Sequence, residues 1–426
     1  MSIELLIHFD TPAEFKVRYE DDETALLPFQ SPILDVEYQE IRWYLETYPT
    51  DYTSDPDDSR AQSVFEQLPM WGEKLFKAVF SDSSAQRFFT RVQDAEEKER
   101  YITISSVLPE ILTLPWEILK DPHGAYLFNE NPRIAIRRSF RTKSGGRAAR
   151  KVKAKSALRM LFVVSRPNGA GFIDPRSEAK AILHAVASQP IQQIEIEFLP
   201  RATLKTLVER LENEDLPAID IVHFDGHGVF DSHGALDSRS VESDVTKKGE
   251  TEVKNMGYLL FETEAGENDL VSANKLGEIL NRQQVSMMVL SACQSAQVAG
   301  DDAMGSVAAR LVHAGIPAVL AMTHSVLVVT TELLFKQFYQ EVAKGRRIGE
   351  AVENARRALF METTRHTKRF GEREVVVKLQ DWLIPSLYQM GNDTPLLKSS
   401  KLPPCRRRPP VIIAAITRSW IFWAGA

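Results

Sequence analysis

Five apolar segments separated by helical segments dominate the chain between residue 157 and about residue 385. The apolar segments are Leu158–Val164, Ile194–Leu199, Ile219–Phe224, Val285–Leu290 and Ala318–Ala321. Helical spacing appears between them near 177–188, 202–212, 272–281 and 303–314, and two amphipathic helices follow near 329–344 and 348–361. Buried strands that alternate with helices indicate a mostly parallel sheet with helices on both faces. We therefore predict an α/β domain over residues 157–392.

The first 141 residues have a different pattern and are predicted to form an accessory region of mixed α and β structure. Alternation at Ile3–Phe9 and the short apolar segment Ile134–Ile136 are each typical of a strand. Apolar residues at helical spacing predict one helix near residues 34–45 and a second near residues 71–80. The expected fold class is thus an α/β domain preceded by an α+β region.

Two further segments have no periodic pattern. Residues 142–156 are predicted to be a basic, flexible linker, because residues 133–155 include ten basic residues and no acidic one. A processing site and a local patch for an anionic partner are alternative interpretations of this composition. Residues 393–426 are predicted to be a disordered tail, with weak membrane contact through its basic and apolar residues as the alternative.

Composition narrows the class of protein without deciding its function. The chain of 426 residues has a net charge of −6 and is 43% hydrophobic, which is typical of a globular protein and argues against general nucleic-acid binding. Its first ten residues lack the basic flank of a signal peptide, and no apolar run reaches the length of a membrane span. Two cysteines, Cys293 and Cys405, are too few for a disulfide framework. We expect a cytoplasmic protein that needs neither a membrane nor a nucleic acid.

Candidate catalytic residues lie where two predicted strands end. One strand runs into the segment DGHG (residues 225–228), whose glycines predict a tight turn around His227. A second strand runs into a segment of small residues that contains Cys293. Ligands of open α/β sheets bind beyond the carboxyl ends of strands, so a thiol and an imidazole would meet there if the two strands were neighbours. Such a pair is the nucleophile and base of covalent catalysis, with the backbone N–H groups of Gly228 and Cys293 as a candidate oxyanion hole.

Other interpretations of these residues stay open. A cysteine near a strand end is often a small core residue, and His223 is interpreted as a buried histidine. The spacing of His223, Asp225 and His227 would allow a metal site, but no further ligand cluster is visible, so neither a metal nor an organic cofactor is expected. The order of histidine before cysteine disfavours an α/β-hydrolase. The sequence also lacks the phosphate-binding motif G-x-x-x-x-G-K-[ST], so nucleotide hydrolysis has no support.

The paired segments VHFDGHG (222–228) and VLSACQSA (289–296) resemble the CHAT family of caspase-like proteins, a class related to caspases, metacaspases and separases. LPWEIL (114–119) is similar to the Trp-Glu segment that precedes the CHAT core. Residues 305–322 and 335–359 resemble the family's helix and strand after the cysteine and its closing helices. The resemblance spans roughly residues 105–390.

This resemblance implies a caspase-like cysteine endopeptidase with His227 as general base and Cys293 as nucleophile, acting on a protein or peptide through an acyl-enzyme without a cofactor. A catalytically silent CHAT scaffold in a signalling or defence assembly is the alternative. Two departures from the relatives are visible. Ser291 stands where metacaspases have an acid that holds a basic P1 side chain, and residues 1–100 show no 34-residue TPR period.

The charge near the candidate turns predicts the substrate preference. Asp225 and Asp301 are the candidate pocket residues, although Asp301 and Asp302 are also well placed to cap the following helix. No arginine or lysine lies between residues 285 and 305 or between residues 218 and 238, so a basic P1 residue is expected. The long polar segment Val229–Asn255 predicts a loop that covers or completes the site, and therefore control by a protein partner.

Overall fold

The computed structural model describes the chain in ten ranges, and the element bounds below refer to them. The ranges are residues 2–51, 55–95, 99–140, 150–170, 174, 176–189, 193–231, 256–293, 303–370 and 373–398. Four predicted features lie outside these ranges: residues 142–149 of the linker, residues 232–255 of the polar loop, the pair Asp301 and Asp302, and residues 399–426 of the tail.

The described ranges contain the following strands and helices, which alternate in the second half of the chain. The strands are β1 (Ser2–Thr11), β2 (Glu14–Tyr19), β3 (Asp22–Glu23), β4 (Leu27–Pro28), β5 (Glu99–Ser105), β6 (Ile134–Ser139), β7 (Leu158–Val164), β8 (Ile194–Phe198), β9 (Ile221–Asp231), β10 (Met256–Glu262), β11 (Asn268–Ser272), β12 (Met287–Cys293), β13 (Ala318–Met322), β14 (Thr364–Phe370), β15 (Arg373–Lys378) and β16 (Pro385–Gln389). The helices are α1 (Asp35–Arg42), α2 (Tyr48–Asp51), α3 (Asp55–Phe80), α4 (Ser83–Gln93), α5 (Pro109–Leu112), α6 (Ser177–Ala187), α7 (Leu204–Glu212), α8 (Ala273–Arg282), α9 (Ala303–His313), α10 (Val328–Ala343) and α11 (Ile348–Met361).

One sheet runs through the described part of the chain and combines fourteen strands. Its order is β11-β10-β9-β12-β13-β16-β6-β5-β1-β2-β3, with β7 beside the first half of β9, β8 outside β7, and β4 beside β2. The pairs β7–β8, β7–β9, β9–β12 and β12–β13 are parallel, whereas β10 and β16 pair antiparallel with β9 and β13. The prediction of a mostly parallel α/β sheet with helices is therefore confirmed.

The alternation of side chains along the strands creates a hydrophobic core on each face of the sheet. On one face, Ile221 and Val289 belong to a cluster with residues of α6, α10 and α11. On the other face, Val222 and Leu290 belong to a cluster with residues of α7, α8 and α9. Because these strands are buried on both faces, their sequences consist of nearly continuous apolar residues.

The N-terminal strands continue this sheet and do not form a sheet of their own. β6 pairs in parallel with β16 at Arg138 and Tyr388, and β5, β1 and β2 follow outward from β6. The boundary at residue 141 stays a prediction, but the regions on its two sides share one row of strands. Residues 150–156 of the predicted linker are also docked, since the Lys155 N–H donates to the Leu396 carbonyl and the Lys398 N–H donates to the Lys155 carbonyl, each at 2.8 Å.

A buried ion pair explains the Trp-Glu segment of the sequence. The Glu117 carboxylate accepts hydrogen bonds from both terminal nitrogens of Arg138, and Ser386 donates to it at 2.9 Å. Arg138 also donates to the carbonyl groups of Leu112 and Leu114, so the pair joins residues 112–117 to β6 and β16. Burial alone would raise the pKa of Glu117, but the Arg138 guanidinium outweighs it and holds that pKa below its usual range.

Each helix in the described ranges is either too short or too polar to cross a lipid bilayer.

Candidate active site

The two candidate catalytic residues lie opposite each other on neighbouring strands. β9 and β12 are parallel, and their register pairs His227 with Cys293 and Asp225 with Ser291. Cys293 is the last residue of β12, at the carboxyl end of the strand. The condition set by the sequence, that the two strands be neighbours, is therefore met. The backbone of the described residues brings the two positions into one cross-strand pair.

The tight turn predicted at the DGHG segment is wrong. β9 stays extended through all four residues and continues to Asp231, with Gly228 opposite Leu259 of β10. A side chain at Gly226 would meet the Phe224 ring at 2.7 Å and the Ser165 Cβ at 3.2 Å. The glycine is therefore required by close packing within a strand, which a local sequence pattern does not distinguish from a turn.

His227 is part of the protein interior. Its side chain is fully buried, and β9 is paired at this level with β12 on one side and with β10 on the other. His223, Asp225 and His227 alternate onto one face of the sheet, and the first two are likewise buried. The predicted burial of His223 is thus confirmed, and the candidate base lies inside the sheet.

A buried polar network lies on this same face, one row below the candidate pair. Glu178, in the first turn of α6, accepts a hydrogen bond from His223 Nε2 at 2.5 Å and another from the Ser291 hydroxyl at 2.5 Å. His223 Nδ1 lies 2.8 Å from the hydroxyl of Tyr339 on α10. These bonds join α6, β9, β12 and α10 directly beneath the candidate site, and all four side chains of the network are buried. A buried network whose members are all bonded fixes the positions of its side chains.

Asp225 is held by an arginine that the local sequence does not reveal. Arg166, which follows β7, donates to the Asp225 carboxylate at 2.7 Å and to the Asp225 carbonyl oxygen at 2.8 Å. Burial and the nearby Glu178 carboxylate raise the pKa of Asp225 to about 7, although Arg166 opposes this shift. Two carboxyl groups therefore share this buried face with one guanidinium.

We expect the Asp225→Asn variant to change the pH dependence of stability. The folded protein binds the Asp225 proton more tightly than the unfolded chain does, since the pKa rises from 3.8 to about 7. The stabilisation from the protonated carboxyl is complete below pH 4 and is lost as the pH rises toward 7, by on the order of a few kcal/mol. Asparagine carries no such proton, so the variant should gain stability relative to wild type over this interval.

Thermal melting of both proteins across this pH interval measures the effect. Asp215→Asn, at an exposed position, is the matched control and should follow wild type at every pH. A difference between Asp225→Asn and wild type that stays constant with pH would contradict the prediction.

The remaining predicted site residues are placed only in part. The backbone of Gly228 and Cys293 is defined by β9 and β12, whereas Asp301 lies outside the described residues. Within the described ranges, no group of three or more histidine, cysteine, aspartate or glutamate side chains is arranged to hold a metal ion. Glu178, Tyr339 and Arg166 were not predicted, because each reaches the site from an element distant in sequence.

A histidine and a cysteine are thus in register on neighbouring parallel strands of an α/β sheet. The chain belongs to the CHAT family: the model of the CHAT domain matches residues 71–426. No curated protein matches the chain.

Solved structures provide distant matches. A separase–securin complex of Saccharomyces cerevisiae is similar at 10% identity and a TM-score of 0.44, covering 91% of this chain and 30% of that one. A second structure of that complex matches at 12% identity and a TM-score of 0.34, covering 83% of this chain and 22% of the other. A complex of the pro- and mature domains of Porphyromonas gingivalis RgpB matches at 12% identity and a TM-score of 0.38, covering 80% and 78% of the two chains. The chain thus spans less than a third of the separase chains that it matches.

Proposed function

We propose that the protein is a caspase-like cysteine endopeptidase that cleaves a protein substrate through Cys293 and His227. The observation that carries this proposal is the cross-strand pairing of these two residues at the carboxyl end of β12. A thiol there, opposite an imidazole on the next parallel strand, has the composition of a nucleophile and its base. Membership of the CHAT family supports the assignment.

The proposed reaction proceeds through an acyl-enzyme. His227 takes the proton of the Cys293 thiol, and the thiolate sulfur attacks the carbonyl carbon of the scissile peptide bond. The backbone N–H groups of Gly228 and Cys293 stabilise the oxyanion of the tetrahedral intermediate. Its collapse breaks the C–N bond as His227 protonates the leaving amine, and a water molecule deprotonated by His227 then releases the acid product and the free thiol.

Burial of His227 supports control by a protein partner. A substrate carbonyl group has no path to an imidazole that is fully buried, so we expect a rearrangement around His227 before catalysis. We expect low basal activity of the isolated chain and a rise when a partner binds. The measurement is the cleavage rate of an unstructured peptide pool by the purified protein alone. Full activity of the purified monomer would contradict this prediction.

A basic residue is the expected P1 side chain. Asp225 and Glu178 supply two buried carboxyl groups beneath the candidate pair, whereas Arg166 supplies one guanidinium, so the local balance of charge favours an incoming cation over an anion. Asp301 is a further candidate for the same pocket. The basic segment 142–155 would then contain a site of self-cleavage.

A panel of fluorogenic peptides that differ only in P1 tests this preference. We expect turnover after Arg or Lys to exceed turnover after Asp, and we expect Asp225→Ala or Asp301→Ala to reduce it selectively for the basic peptides. Faster turnover after Asp would contradict this preference. If the Arg166→Gln variant then lost the turnover after Asp, Arg166 would be the residue that binds the P1 side chain.

A catalytically silent scaffold is the second candidate, because family membership alone implies no activity. A peptide library cleaved by wild type but not by Cys293→Ala establishes the peptidase. Thiol alkylation separates the two functions independently of any substrate. Iodoacetamide labelling of Cys293 that disappears in His227→Ala supports the enzyme, whereas equal labelling of Cys293 and Cys405 in the folded protein supports the scaffold.

A further inference from the structure

A cleft of about 410 Å³ lies between α10 and α11, near the turn that joins them. α11 contributes one stripe of side chains at positions 350, 354, 357 and 361, whose spacing places them on one face of the helix. α10 contributes Gln337 and Glu341, which are also one turn apart, and Arg133 closes the cleft from the residue before β6. The cleft is shallow and open to solvent, so a ligand there would be held mainly by polar contacts.

The acidic groups of this cleft already have basic partners. Glu341 is buried and accepts hydrogen bonds from Lys344 at 2.6 Å and from Asn354 at 2.9 Å. Glu350 lies 3.3 Å from Arg346 on the preceding turn. Neither glutamate is therefore left to neutralise the other cations that line the cleft.

Two guanidinium groups remain without an acidic partner. Arg133 donates to the amide oxygen of Asn354, a neutral group that holds it in place. Arg357 is exposed, and the part of the chain that the structure describes offers it no hydrogen bond or carboxylate. Guanidinium groups that line one cleft supply the positive charge and the N–H donors that bind the oxygens of a phosphate.

The other end of the cleft is apolar. Ala358 and Met361 line it there, and the Met361 side chain is 73% exposed, one turn beyond Arg357. A methionine side chain adapts its shape readily to a planar or irregular ligand surface. The cleft thus changes along its length from basic and hydrogen-bonding to apolar.

We propose that this cleft is a binding site for a small ligand that carries a phosphate group, with Arg133 and Arg357 on the phosphate and Met361 against an apolar part of the ligand. A mononucleotide has this combination of groups. The site is separate from Cys293 and His227, and its assignment does not depend on the proposed peptidase activity.

Calorimetric titration of the whole chain in phosphate-free buffer tests the proposal with three probes: AMP, adenosine and inorganic phosphate. We expect AMP to bind more tightly than inorganic phosphate, and adenosine to show no binding. Arg357→Gln should weaken AMP binding about tenfold or more, the loss typical of a charge-assisted hydrogen bond. Met361→Ser should weaken AMP binding but leave inorganic phosphate unchanged.

Lys336→Gln is the matched control, since it removes the same charge from an exposed position of α10 that does not line the cleft. It should bind AMP as wild type does. The folding of Arg357→Gln is checked by thermal melting and should be unaltered, because Arg357 has no partner to lose. Absence of AMP binding up to about 1 mM, or equal weakening by Arg357→Gln and Lys336→Gln, would overturn the proposal. Equal affinity for AMP and inorganic phosphate would overturn the proposal that Met361 contacts an apolar part of the ligand.

Discussion

Replacement of Cys293 by alanine is expected to abolish peptide cleavage, because the sulfur that forms the acyl-enzyme is then missing. His227→Ala should reduce kcat/KM at least about a hundredfold, the lower end of what a general base contributes. The measurement is kcat/KM per folded molecule on a peptide that wild type cleaves. Cys405→Ala is the matched control, since it removes the chain's other thiol and should leave the rate unchanged.

Burial of His227 requires a second variant at that position. Alanine leaves a cavity inside the sheet and destabilises the fold, whereas His227→Gln retains most of the volume. Both variants should lose activity to a similar extent although their melting temperatures differ. A His227→Gln protein that is folded and retains more than about a hundredth of the wild-type kcat/KM would show that the imidazole is not the base.

His223→Ala should act mainly on stability, because it breaks the bonds to Glu178 and Tyr339.

Glu117→Ala is expected to have the largest effect on stability, a loss of about 3–5 kcal/mol in the free energy of unfolding. The substitution removes the carboxylate that pairs with the buried Arg138 guanidinium and the acceptor of the Ser386 hydroxyl. Denaturant unfolding measures the change. Glu110→Ala, at an exposed position nearby, is the matched control and should stay within about 0.5 kcal/mol of wild type.

A double replacement tests the physical cause. Glu117→Leu combined with Arg138→Met removes both charges, so it should be more stable than either single variant, because no unpaired ion remains in the core. Losses that simply add in the double variant would contradict the ion-pair explanation.

Local patterns sufficed for several elements around the candidate pair. The predicted segment Leu158–Val164 is β7 itself, and the helices predicted near 177–188 and 348–361 differ from α6 and α11 by at most one residue at their ends. These elements are long and strongly patterned. The hydrophobic repeat therefore determines their type and extent.

Elements and contacts that depend on tertiary structure were not predicted. β10 and β16 pair antiparallel with β9 and β13 of the parallel unit, and nothing in their short sequences specifies which strand they join. The bond of Glu178 to Ser291 joins residues 113 positions apart, and in sequence Glu178 looks like an ordinary acid in the first turn of a helix. The extent of β9 was missed because its glycines resemble a turn until the packing around Gly226 is known.

The place of β16 in the sheet has a consequence for the order of folding during synthesis. β6 and β13 are linked in the sheet through β16, so the N-terminal strands join the strands of the candidate site only when Pro385–Gln389 has left the ribosome. That happens roughly 250 residues after β6, or about 12–50 seconds at usual rates of synthesis. Until then, both β6 and β13 present an open edge. The nascent protein therefore acquires its continuous sheet, and with it a complete setting for Cys293 and His227, only after β16 has emerged.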